Sequence, residues 1–258
     1  MTWSPMFLIR WLHKWFGLVL GLQFLLWALS GAVMALLDHH KVAAEDAVLP
    51  VAQLAAPDAA LPLARVAETV GGPVTKLALK PLHDRWIYEA TTPAGVRLVD
   101  AVSGQLIGID AAKARELAVA RFTGDAPVAS VSHVAETTLE TRDMKLPAWR
   151  VEFADPDRTT LLLSATTGEV LGAKNDTWRL WDIAWMLHIM DYKERQSFNH
   201  PLIVTLGTAA AWLALSGLIL LFRSFRRSDV AWLTAPFEAL ARRRAAAPKA
   251  TASRERAR

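Results

Sequence analysis

Residues 9–40 read IRWLHKWFGLVLGLQFLLWALSGAVMALLDHH, and the 23 residues from Trp15 to Leu37 carry no charge. At about 1.5 Å of rise per residue, a helix of that length crosses the ~30 Å hydrocarbon core of a bilayer. A cleavable signal peptide has a shorter apolar region, about 7–15 residues, and a small-residue cleavage site. This stretch instead runs into Leu36-Leu37-Asp38-His39-His40, so the expectation is an uncleaved anchor. His13 stands at its entrance, with Gly17 and Gly21 at i+4 and i+8 on the same helix face.

A second uncharged stretch, LIVTLGTAAAWLALSGLILLF, covers Leu202–Phe222 and is closed by Arg223, Arg226 and Arg227. Charge is distributed unevenly about the two stretches. Arg10 and Lys14 precede the first with no acid beside them, and residues 223–258 hold ten Lys or Arg against Asp229, Glu238 and Glu255. The middle, residues 38–200, is acidic, with 17 basic against 22 acidic side chains. Positive flanks orient membrane spans, so both termini are expected in the cytoplasm of a bacterial inner membrane, with residues 38–200 in the periplasm. Next to a span, the arginine-rich tail fits anionic lipid headgroups, and nucleic acid is not an expected partner.

With no cysteine among 258 residues, disulfides and thiolate metal sites are excluded. There is no G-x-S-x-G, Walker loop or G-x-G-x-x-G to suggest a soluble enzyme. Acid pairs such as Glu45-Asp46 and Asp155/Asp157 sit in linker or turn sequence and read as solvated loops.

An internal repeat sets the architecture of the middle. Residues 97–108, RLVDAVSGQLIG, reappear 64 positions later as 161–172, LLLSATTGEVLG. Upstream, Trp86-Ile87-Tyr88-Glu89-Ala90 matches Trp149-Arg150-Val151-Glu152-Phe153. In each copy a helical period, residues 63–70 or 111–122, precedes alternating segments that read as strands. The first copy's strands are expected at 74–80, 86–91 and 96–101, and the second's at 128–134, 149–154 and 159–164. Residues 178–188, with three tryptophans, read as a helix at the outer membrane interface, and His200-Pro201 as the mouth of the second span.

The expected organisation is a membrane α-helical hairpin of two transmembrane helices plus a periplasmic α+β domain of two repeats. Its parts are an amphipathic lead-in 1–14, span 15–37, linker 38–61, repeats 62–109 and 110–172, an interfacial helix and turn 173–200, span 201–222 and a basic tail 223–258.

The repeated pattern D/S-A-x-[ST]-G-x-[LV]-[IL]-G resembles the PepSY domain. Arg10-Trp11-Leu12-His13-Lys14-Trp15-Phe16-Gly17-Leu18 with Leu29-Ser30-Gly31 resembles the PepSY-associated transmembrane helix, and Met186-Leu187-His188 with Leu215-Ser216-Gly217 resembles its second membrane unit. Relatives of this family include inner-membrane ferric-siderophore reductases that carry haem b between helices. Many have four spans where this chain has two. The resemblance implies membrane electron transfer, an oxidoreductase of the ferric reductase type, with one or two haem b groups. A quinone or cytoplasmic donor would deliver electrons to a periplasmic ferric complex.

Five of the seven histidines, His13, His39, His40, His188 and His200, lie at the expected membrane boundaries. Haem b takes neutral imidazoles in a helix bundle, with small residues giving the flat ring room. His13 would be the inner ligand with Gly17 and Gly21 beside it, and His188 and His200 the leading outer candidates, with His39 and His40 on the same side. If the spans pack antiparallel, His13 lies level with Ser216-Gly217 and His200 with Ser30-Gly31. The inner site then has one histidine per chain. It is completed by His13 of a second copy in a homodimer, completed by another membrane subunit, left five-coordinate, or absent. The same glycines also read simply as close helix packing, Gly17 to Gly21 being G-x-x-x-G. On that reading the chain is a non-enzymatic membrane-anchored PepSY module that binds or restrains a periplasmic partner such as a peptidase.

Overall fold

The computed structural model describes residues 5–224, apart from 52, 56 and 58, together with 235–237 and 239. Most of the basic tail, and Trp3 of the lead-in, lie outside the described residues. Contacts divide the chain into two compact bodies, residues 1–22 with 204–258 and residues 23–203.

Helix α1, Pro5–Leu36, runs unbroken through both the lead-in and the expected span. Helix α6, Pro201–Ser224, opens on the proline expected there. Both are long and apolar enough to cross a membrane, and only 11% of the apolar window of each is buried inside the protein. Apolar surface left so uncovered needs lipid around it, and this is a membrane protein. Within the first body the two helices run antiparallel. Phe16 packs on Trp212 with ring centroids 5.1 Å apart, and the position a Cβ on Gly17 would take lies 3.9 Å from Leu213 Cδ1. Gly21 and Gly207 face open space.

The second body contains two four-stranded antiparallel sheets, each a meander with strands in chain order. Helix α3, Leu63–Val70, precedes β1 (Lys76–Leu82), β2 (Arg85–Thr92), β3 (Gly95–Asp100) and β4 (Leu106–Ile107). Helix α4, Ala111–Arg121, precedes β5 (Val128–Val134), β6 (Ala148–Phe153), β7 (Thr160–Ser164) and β8 (Val170–Lys174). Period-2 alternation gives the first sheet two apolar faces. Ile87 and Leu98 join α4 and the second sheet's Val151, Phe153, Leu161 and Leu163 in the main core, while Tyr88 and Val99 turn to Val66 of α3.

The 64-residue repeat is visible in the turn bonds. Asp100 N donates to Gln105 O and Ser164 N to Glu169 O, both at 2.8 Å, and Gly104 and Gly168 both sit at φ above +70°. Asp100 Oδ1 accepts from the N–H groups of Val102 and Ser103, and Ser164 Oγ from those of Thr166 and Thr167. The D/S at the head of the motif is therefore the turn's acceptor, and the glycine supplies its left-handed residue.

Three features depart from the sequence expectation. The stretch after each motif glycine forms a fourth strand, β4 or β8, too short or too glycine-containing to alternate. Strand β1 continues through Pro81, which an edge strand tolerates. The linker is structured: α2 (His39–Ala43) is capped by Asp38, Val48 bridges Phe122, and Leu61 N donates to Ala101 O at 2.8 Å. Its backbone groups thus pair with both repeats instead of forming an irregular spacer. Helix α5, Asp176–Ile189, follows β8, with the Asn175 side chain accepting from Trp178 N.

Candidate functional site: two imidazoles on serine-glycine steps

His13, on α1, places Nδ1 2.8 Å from Ser216 Oγ of α6. The Ser216 hydroxyl reaches Leu213 O at 2.9 Å. A serine on a helix commonly donates back to the carbonyl one turn earlier, and a hydroxyl has one proton to give. With that proton on Leu213 O, Ser216 Oγ accepts from His13, so Nδ1 carries the ring proton and Nε2 is left with its lone pair. The ring lies against Gly217, where an added Cβ would stand 3.0 Å from His13 Cε1.

The same construction occurs a second time. His188, on α5, places Nδ1 3.2 Å from Ser30 Oγ of α1. Ser30 Oγ in turn donates to Leu26 O at 2.7 Å, with Trp27 O at 3.2 Å. A Cβ on Gly31 would meet His188 Cε1 at 3.4 Å. Both serines are buried, at 4% and 3% exposure. Nδ1 protonated and Nε2 bare is the tautomer a metal ligand needs, held by a partner on the far nitrogen.

The other boundary histidines are placed differently. His200 does not stand at Ser30. Its Nε2 donates to Ile189 O at 2.9 Å, and its Nδ1 faces the Ile203 N–H at 3.5 Å, so it links the end of α5 to the start of α6. His40 pairs with Glu45 at 2.8 Å on the surface, and that hydrogen bond holds its pKa above the ordinary histidine value. His39, beside it on α2, is exposed. Among the described residues no hydrogen bond joins His39, His40 or His200 to the His188 ring. Gly17 serves helix packing against Leu213, while Gly21 meets nothing within 4 Å. The buried Nε2 of Gln23, on α1, has no acceptor among the described residues.

Away from the helices, His83, Asp84 and Glu116 come close enough to share an ion, but all three are exposed. Asp84 already pairs with Arg85 and Glu116 with Lys113.

Sequence reasoning set the two Ser-Gly steps level with histidines and missed that each serine is an imidazole's hydrogen-bond partner. The signal was present: L-H and A-L-S-G occur once around α1 and once across α5 and α6, with the turn 190–200 inserted in the second copy. Also missed was the support of α5. Asp182 is buried between Arg142 and Arg195, and Trp181 stacks on Trp185 with centroids 5.3 Å apart.

No curated protein and no solved structure matches the chain. A family model does, that of the PepSY-associated TM region, over residues 10–252. Since the match takes in both apolar helices, both sheets and both histidine-serine pairs, the chain belongs to the PepSY-associated transmembrane family.

Proposed function

We propose that this is a b-type cytochrome-like electron-transfer protein of the bacterial inner membrane, with His13 and His188 as its iron ligands. The observation that carries the reading is the hydrogen-bond accounting at the two imidazoles. Each is fixed through Nδ1 by a serine whose own proton is committed to the main chain, leaving a bare Nε2. A histidine that only faced lipid headgroups would need neither a fixed tautomer nor a glycine under its ring. Haem b, when bound, supplies one-electron chemistry between ferric and ferrous iron.

The chain's own part is to present Nε2, to hold the proton on Nδ1, and to exclude water with the apolar helices around the ring. Each described site offers one imidazole. Haem at His13 would be held further by His13 of another copy or by another membrane subunit, for which the open Gly21 and Gly207 faces leave room. Both termini are cytoplasmic in this reading, and residues 38–200, with their two PepSY-like repeats, face the periplasm. There they meet an acceptor such as a ferric complex, while a quinone or cytoplasmic donor supplies electrons.

One observation favours a second reading, a tethered module that binds a periplasmic partner such as a peptidase. A groove of about 560 Å³ opens between the linker (Leu49, Val51), strand β1 (Lys80, Leu82) and helix α4 (Leu117, Arg121). Purification after haem-replete expression separates the two. The cytochrome reading expects a Soret band that weakens in His13→Ala and in His188→Ala. Colourless protein that still captures its partner through the groove supports the module instead.

A further inference from the structure

We propose that Asp182 is the positioning residue of His188, holding its imidazole on Ser30 through a buried ionic clamp; this rests on the reading of His188 as an iron ligand. The clamp joins three segments. Asp182 lies on α5, six residues before His188, with its carboxylate 3% exposed. Arg142, from the loop between β5 and β6, brings Nη2 to 2.7 Å from Oδ1, a charge contact without hydrogen-bond alignment. Arg195, from the turn after α5, donates Nη1–H to Oδ2.

That same turn grips the helix on both sides of His188. Trp185 Nε1, one turn before it, donates to Arg195 O at 2.9 Å. Ile189 O, immediately after it, accepts from His200 Nε2 at 2.9 Å. The turn keeps its shape because the Asp191 carboxylate accepts from the N–H groups of Lys193, Glu194, Gln196 and Ser197. His188 thus sits inside a bracket whose outer anchor is Asp182, and α5 can neither rotate nor slide without separating that carboxylate from both arginines.

The cluster is poorly explained as a source of stability. A buried ion pair is about break-even against apolar packing, and here Arg195 Nε is buried without an acceptor. Lys174 lies over Trp178 at 3.9 Å with Arg142 over the same ring at 5.6 Å, and Arg142 also stands 3.8 Å from the exposed carboxylate of Asp143. Burial holds Lys174 below the ordinary lysine pKa. Such an arrangement specifies geometry, and the geometry it specifies is the angle at which α5 presents His188.

The test uses the full-length protein in lipid nanodiscs, labelled with 15N-histidine, and long-range proton–nitrogen correlation of its ring nitrogens. In wild type, His13 and His188 both show the proton on Nδ1. In Asp182→Asn the other tautomer of His188 rises severalfold as the ring loosens from Ser30, while His13 is unchanged. Asp182→Glu recovers most of the locked form. Should Asp182→Asn fail to fold, Arg195→Gln leaves the Asp182–Arg142 pair in place and gives the same loosening. A His188 ring that stays locked in either folded variant, or a His13 ring that loosens equally, overturns the proposal. Locked rings that respond to Asp182 in a protein that takes up no haem keep the clamp and overturn the cytochrome reading.

Discussion

The His13 and His188 sites share a ring, a serine and a glycine, yet they are held by opposite means. His13 belongs to a body in which two apolar helices meet through Phe16 on Trp212 and Gly17 against Leu213. No charged side chain supports that ring among the described residues, as expected where lipid makes an ionic support expensive. His188 belongs to a body rich in ion pairs, where Asp182, Arg142 and Arg195 fix its helix. The common element is therefore the serine bonded to Nδ1 and the glycine under the ring, and the variable element is what the surroundings permit.

The strongest way to break this comparison is to remove the rings. His13→Ala and His188→Ala should each remove part of the bound haem, and the double variant should abolish it, measured as haem per chain. Loss of all haem in either single variant would mean one shared site. Removing the serines should come next. Ser216→Ala and Ser30→Ala each release Nδ1 and should weaken haem binding about tenfold, more at Ser216, whose contact is 2.8 Å against 3.2 Å at Ser30. Haem titration of the apoprotein reads both.

The glycines sharpen the contrast further. Gly217→Ala pushes a methyl to 3.0 Å from His13 Cε1 and forces the ring to move, so a severalfold loss of affinity is expected there. Gly31→Ala reaches only 3.4 Å from His188 and should leave affinity nearly unchanged.

Acid should distinguish the two regions most gently. Burial pushes the Asp191 carboxyl up, but the N–H groups of Ser197, Gln196, Glu194 and Lys193 outweigh it and hold its pKa well below the usual carboxylate range. Burial likewise opposes Glu140, where hydrogen bonds from Arg150 and Arg179 prevail and lower its pKa. A depressed carboxylate contributes stability that is complete above its unfolded value, about 4, and is lost as pH falls through the lower folded value. Hydrogen exchange at amides 193–197, corrected for intrinsic rate, should therefore quicken below about pH 4. Amides of 13–17 should not follow.

Much of the fold could be read in advance because it follows local rules. The two apolar helices, the paired helix-and-strand segments and the Asp100 and Ser164 turns answer to length, periodicity and turn chemistry, each a matter of a few neighbouring residues. Strands β4 and β8 escaped because they form only by pairing with β3 and β7, and the linker because its partners, Phe122 and Ala101, lie far along the chain. At the site, His13 was expected beside Ser216-Gly217 and stands there. His200 was expected beside Ser30-Gly31, and that place belongs to His188. Counting positions along α6 cannot register a turn that folds back along α5. The tertiary bonds from Arg195 to Asp182, from Trp185 to Arg195 O and from His200 to Ile189 reveal it.

The most direct test of the account is the dithionite-reduced minus oxidised absorption spectrum of the purified full-length chain, normalised to protein. The account predicts a b-type haem spectrum with at least one haem per chain, diminished by His13→Ala and by His188→Ala. A featureless difference spectrum from protein expressed with ample haem would contradict it.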